Sequence, residues 1–128
     1  MKLCLGSDVF IEALRDANSP SAKLIRKIRD KRMSAFVSFV SVAGLYVGAF
    51  LTKRVSDVDA LLGGLGRLKM NDPTAKKAGE VRASTGLPLP DCLIGANAIL
   101  SDVCLVTKNL RHFSKIDGLK VKTPRSFL

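Results

Sequence analysis

Asp91 is the acid best placed for chemistry. It follows Pro90, which can open a helix without wasting an N–H, so its carboxylate stands in the first turn at the positive end of the helix dipole. Leu93, Ile94, Ala96, Asn97 and Leu100 then recur at helical spacing, and Val103–Val106 is a four-residue apolar run suited to a central parallel strand buried on both faces. Thr107, Lys108 and Asn109 come just past that strand's carboxyl end, where open α/β sheets bind ligands. The spacing thus sets an acid on a helix start against polar groups at a strand end. Asp8 follows a short apolar strand and reads first as the N-cap of the next helix.

Other chemistries are poorly supplied. The single histidine, His112, has no nucleophile placed beside it and reads as a partly exposed turn residue next to Phe113. Cys4, Cys92 and Cys104 are odd in number and form no Cys-x-x-Cys pair, and two of them lie in apolar runs where free cysteine acts as a small hydrophobe. Neither a disulfide framework nor a zinc site is expected.

The elements that must position these residues follow in order. Lys2–Leu5 predicts a strand ending at Gly6-Ser7-Asp8, and Val9–Arg15 a helix with Val9, Phe10, Ala13 and Leu14 inward and Glu12 and Asp16 facing solvent. Ser19-Pro20 is cap plus proline for a helix to about Arg32; its solvent side is almost wholly basic, read first as a solvated face and second as a nucleic-acid groove. Ala35–Val40 predicts the second strand, Ser41 an N-cap, and Val42–Lys53 an apolar helix. Asp57–Leu68 is a weak helix interrupted by Gly63, Gly64 and Gly66, each costing about 1 kcal/mol against alanine. Asp72-Pro73 opens a helix through about Ala83, which Gly86 ends, and Leu119–Pro124 closes as an edge strand. Strands alternating with helices imply an α/β domain, residues 1–128, with a central parallel sheet of about four to five strands and helices on both faces.

At 128 residues and 47% hydrophobic, the chain supports one real core and has no run long enough to span a membrane. Met1–Leu5 breaks too early for a signal sequence, so a cytoplasmic protein is expected. A formal charge of +10 without any block of like charges suggests a polyanionic partner, although a basic proteome would give the same bias.

Taken together, these residues resemble a PIN domain, and within that family the VapC-like toxins of toxin–antitoxin modules. Leu89-Pro-Asp-Cys-Leu-Ile-Gly-Ala-Asn-Ala98 is similar to the family's Pro-x-Asp-x-x-Ile-Ala-Ala-x-Ala helix, and Val106-Thr-Lys-Asn-Leu-Arg-His-Phe113 to its Val-Thr-x-Asn/Asp-x-x-x-Phe turn. Leu5–Ile11 resembles the opening Leu-Asp-Thr-Asn-Val-Leu-Ile, and Ser38–Gly48 the second motif around Ala-Glu-Leu, an aromatic residue and glycine. The resemblance covers nearly the whole chain. It implies a ribonuclease in which three or four acids hold Mg²⁺ or Mn²⁺ at the carboxyl end of the sheet, a homodimer, and a VapB-like antitoxin whose tail enters the acidic cleft, often with an arginine.

The chain departs from that pattern at two acids. The first family aspartate aligns with Gly6 and the second-motif glutamate with Gly44; Asp91 is retained, and the fourth position is Asn109. If position 44 were glutamate, Ser41-Val-Ala-Gly44 would form a capping box. Asp8 shares a strand face with position 6 if the chain stays extended, so it is the candidate replacement carboxylate. Asp91, Asp8 and Asn109 are the candidate catalytic residues, with Asp91 and Asp8 as metal ligands and Asn109 orienting water or phosphate. Lys108, Arg111, Ser7 and Thr107 are the candidate phosphate contacts. A site with so few charges implies weak metal binding. Two readings follow: a VapC-like endoribonuclease with a depleted or shifted metal site, or a PIN-fold protein that binds RNA or antitoxin without cutting. A housekeeping PIN nuclease differs from the first only in its partner.

Overall fold

The computed structural model describes residues 1–128. Leu3-Cys4-Leu5 forms β1, fully buried, and lies at the centre of a parallel sheet. Around it stand β2 (Ala35–Val37), β3 (Gly66–Arg67), β4 (Cys104–Val106) and β5 (Val121–Lys122), in the spatial order β3-β2-β1-β4-β5. Leu3 aligns with Ala35 on one side and with Cys104 on the other, and Leu5 with Val106. Side chains alternate across a strand, and the core divides accordingly. Leu3, Leu5, Cys104 and Val106 pack with α1 (Ser7–Arg15), α2 (Pro20–Asp30), α3 (Phe39–Thr52) and α4 (Val55–Leu62), while Cys4 and Leu105 pack with α5 (Asp72–Thr85) and α6 (Leu89–Leu100). A short helix, α7 (Leu110–Phe113), and a closing 3₁₀ turn at Pro124–Phe127 complete the chain. The expected architecture, one α/β domain with helices on both faces of a parallel sheet, is present, with five strands. No helix is long and apolar enough to cross a membrane.

Several boundaries differ from the sequence expectation, each for a local reason. The second strand stops at Val37 because Ser38, not Ser41, caps α3, its hydroxyl accepting from the Val40 N–H at 3.2 Å. Ser41 therefore lies inside the helix with a buried, unpartnered hydroxyl, and Gly44 sits in the helix interior, so no capping box is lost there. Helix α5 is capped by Asn71 rather than Asp72: Asn71 and Thr74 each accept the other's backbone N–H at 3.2 Å. It runs to Thr85 before Gly86 turns it off at φ 72°. The glycine-rich stretch is a helix ending at Leu62 followed by β3, where Gly66 leaves room for the Phe36 ring; a Cβ on Gly66 would lie 2.7 Å from that ring.

The basic side of α2, which ends at Asp30, is not simply solvated. Arg26 donates to the Ala17 carbonyl at 2.8 Å, Arg29 to those of Ala60 and Leu61 at 2.6 and 3.1 Å, and Lys27 to that of Phe127. These cations fasten neighbouring segments to the helix.

The connections leave β1 toward β2 and β3 on one side and return to β4 and β5 on the other. The carboxyl ends of β1 and β4 thus flank the point where the strand order reverses, which is where an open α/β sheet leaves a crevice.

Candidate functional site

A cleft of about 160 Å³ opens at this point, lined by Gly6, Ser7, Asp8, Asp91, Ile94, Thr107, Asn109, His112 and Phe113. The turn from β1 into α1 supplies Gly6, Ser7 and Asp8; the start of α6 supplies Asp91; the segment from β4 into α7 supplies the rest.

Asp8 does not cap α1. The helix begins at Ser7 with Gly6 as its N-cap, so Asp8 lies in the first turn, and extended-strand alternation does not relate positions 6 and 8. Its Oδ2 instead accepts from the Thr107 hydroxyl at 2.9 Å and the Lys108 backbone N–H at 2.6 Å, while Thr107 Oγ1 accepts from the Asn109 N–H at 3.0 Å. Asp8 thereby ties the β1–α1 turn to the β4–α7 segment. Its other oxygen, Oδ1, lies 2.7 Å from where a Cβ on Gly6 would stand. The helical turn thus brings the Asp8 carboxylate into the space that a side chain at position 6 would enter.

Asp91 is half-buried in the first turn of α6, which has no side-chain cap, and its Oδ2 lies 2.7 Å from His112 Nε2. His112 also makes an edge-on contact with Phe113, centroids 5.2 Å apart. It is a site residue that reading the sequence left in a turn. The available signal was its place three residues after Asn109, on a helix too short to show periodicity; that Asp91, 21 positions earlier, meets it is a consequence of folding.

The remaining candidates divide. Ser7, Thr107 and Asn109 line the cleft; Lys108 and Arg111 do not. Lys108 Nζ reaches Glu12 Oε2 at 2.6 Å, and Glu12 also accepts the Ser21 N–H at 3.3 Å, so Glu12 is not the solvent-facing acid that its helical position suggested. The hydrogen bond from Lys108 holds the Glu12 carboxyl below its ordinary pKa. Arg111 is exposed on α7. Gly44 lines a separate groove of about 230 Å³ between α1 and α3 with Ile11, Leu14 and Gly48, and a Cβ there would meet nothing within 4 Å.

A divalent cation fits this cleft poorly. The chain brings no three His, Cys, Asp or Glu side chains together as a metal-holding group. The two carboxylates in the cleft each have one oxygen committed, Asp8 to Thr107 and Lys108, Asp91 to His112. Magnesium demands near-octahedral oxygen coordination, so water would have to supply most of the shell. What the cleft does present is hydroxyl, amide and imidazole groups beside two acids, a lining suited to hydrogen-bonding a polar ligand.

Comparison with known proteins agrees with the topology. Chains of similar fold occur in VapBC2 from Rickettsia felis bound to a promoter DNA fragment (21% identity, 96% of this chain and 98% of that chain, TM-score 0.84). They occur also in DNA-bound VapBC from Salmonella typhimurium (19%, 97% and 98%, 0.83) and in a toxin–antitoxin complex from Klebsiella pneumoniae (20%, 96% and 98%, 0.79). No curated protein matches the sequence significantly. The family model for the PIN domain matches residues 3–119, nearly the full length and every segment that builds the cleft, and the chain belongs to the PIN domain family.

Proposed function

We propose that this chain is a VapC-like PIN protein of a toxin–antitoxin pair, an endoribonuclease by descent whose metal-dependent cleavage is depleted while its hold on RNA persists. The observation that carries this reading is the cleft itself: it stands at the sheet's switch point, keeps Asp91, has Gly6 where the family has its first aspartate, and gains Asp8 as a neighbouring carboxylate, while the second-motif acid is lost at Gly44 outside it. Mg²⁺ or Mn²⁺ would be held weakly, through Asp8 and Asp91 with Asn109 nearby. Fewer negative charges also make the cleft less repulsive to phosphate, so binding outlasts cutting. Ser7, Lys108 and Arg111 are the proposed phosphate contacts; Thr107, expected among them, is buried and gives its one hydroxyl proton to Asp8.

A VapB-like antitoxin is the proposed protein partner, supported by the fold shared with chains of toxin–antitoxin complexes. A homodimer is proposed as well, supported by Val47, Phe50 and Leu51, which α3 exposes at 62%, 70% and 81%. Action in the cytoplasm follows from the RNA substrate proposed.

The deciding experiment is RNA cleavage with Mn²⁺ by this chain and by Asp91→Ala. Weak cleavage that vanishes in the variant supports a depleted nuclease, and Asp8→Ala should then abolish it too. The poor fit of a divalent cation favours the second reading, a binder that does not cut; equal background in both proteins establishes it. Tight stoichiometric Mn²⁺ binding in a calorimetric titration would overturn the depleted site.

A further inference from the structure

Beside the cleft lies a second concavity of about 260 Å³, lined by Glu12, Pro20, Lys108, Thr123, Pro124 and Arg125, two prolines among four polar or charged side chains. Strand pairing explains its position. Val106 aligns with Lys122, and the Thr107 N–H donates to the Lys122 carbonyl at 3.0 Å, so Lys108 and Thr123–Arg125 follow the carboxyl ends of neighbouring strands. Thr107 and Asn109 line the cleft while Lys108, between them in sequence, lines this groove, so the two spaces are neighbours on either side of one short segment.

The groove's two cations differ in availability. Arg125 is exposed and its side chain makes no ion pair or hydrogen bond in the structure. The turn carrying it is nonetheless fixed: Lys27 of α2 donates to the Phe127 carbonyl, the Ser126 N–H donates to the Thr123 carbonyl at 3.1 Å, and Lys122 Nζ stands 5.9 Å from the centre of the Phe127 ring. The clamped turn fixes the point from which a guanidinium fork, suited in shape to phosphate, extends. Lys108 is occupied by Glu12, the one acid of the groove.

We infer that an RNA strand leaves the cleft through this groove, with Arg125 and Lys108 each seating a backbone phosphate and Glu12 competing with the RNA for Lys108. This rests on the RNA reading above and specifies the path of the strand. Glu12 also accepts the Ser21 N–H, so it remains in place when Lys108 turns to a phosphate. RNA binding then exchanges one anionic partner of Lys108 for another, and the pair weakens binding without blocking it.

The test is fluorescence anisotropy of a labelled single-stranded oligoribonucleotide of about ten nucleotides, within the usual range of single-strand sites. Chelator in the buffer prevents cleavage. Arg125→Glu should weaken binding about fivefold and reduce the slope of log affinity against log salt by about 0.7, the counterion release of one phosphate contact. Glu12→Gln, whose amide oxygen can still accept from Ser21, should tighten binding about threefold by freeing Lys108. The opposite signs separate phosphate capture from loss of fold. A parent that binds RNA while Arg125→Glu binds equally well, or while Glu12→Gln binds no tighter, overturns this path and leaves the RNA reading standing. A parent that binds no RNA overturns both.

Discussion

Asp8 and any side chain at position 6 compete for one volume, and this sets what restoring the family's acids would do. The close atom is the end of a flexible carboxylate, so Gly6→Asp can fold by swinging Asp8 aside. That motion breaks the bonds to Thr107 and Lys108. We expect Gly6→Asp to lose about 1–3 kcal/mol, from two charge-assisted bonds and a new pair of neighbouring carboxylates, read by urea denaturation. Gly44 is the opposite case: its position is open and helical, so Gly44→Glu should gain about 0.5–1 kcal/mol from propensity alone. A Gly44→Glu protein less stable than the parent would contradict the open surroundings of that residue. Glu12 carries a pH dependence. Its folded pKa lies below the ordinary 4.5, so the stabilisation from Lys108 is present above the unfolded value and lost as pH falls through the lower folded one. Melting temperatures between about pH 3 and 6 should therefore fall less steeply for Glu12→Gln than for the parent.

At the scale of elements, what could be read depended on how local the cause was. The strands Leu3–Leu5 and Cys104–Val106 and the helix opening near Pro90 announce themselves through continuous apolar runs and a proline at a helix start. Sequence alone does not place the cap of α3, because Ser38 and Ser41 are equally good residues for it; the Val37 carbonyl, which accepts from Leu68 at 3.2 Å, ends its ladder with β3 just before Ser38. Strand β3 is two residues long and one is glycine, so its existence depends on its pairing with Phe36 and Val37 and not on its own composition. The cleft was legible in part for the same reason: Asp91 and Asn109 stand at element ends that the pattern marks, whereas His112 enters only through a contact across the fold. Buried strands also protect their thiols. Burial pushes the Cys4 thiol up to about 12 and raises that of Cys104, and Cys92 is buried as well. None of the three should react with a thiol reagent at neutral pH in the folded protein, and all should react in denaturant; prompt labelling of the native chain would mean the sheet opens far more readily than its packing implies.

Across the whole molecule, a formal charge of +10 meets a cleft containing only two acids, and that imbalance bears on both proposed partners. For RNA it lowers repulsion at the cleft. For an antitoxin it acts the other way. The family resemblance implies a tail that places an arginine among the acids, and such a pair is strong when the carboxylates are several and partly shielded from water. Here Asp8 already accepts from Thr107 and Lys108, and Asp91 is paired with His112, so an incoming guanidinium finds few free oxygens. The tail must then be held mainly by its apolar contacts. A suitable surface exists: Ile11, Leu14 and Leu45 line the groove beside Gly44, open for want of a side chain at position 44. We therefore expect a cognate antitoxin to dock more weakly on this chain than on its Gly6→Asp variant, which adds an acid to the cleft and leaves the groove beside Gly44 open, by about tenfold for one recovered charge-assisted contact of about 1.4 kcal/mol. The added affinity should fade with salt, because it is electrostatic, while affinity for the parent chain should change little. Calorimetry of both proteins at low and high salt measures this directly. Equal affinities at low salt would mean that the acids never held the antitoxin, and that the groove between α1 and α3 carries the complex alone.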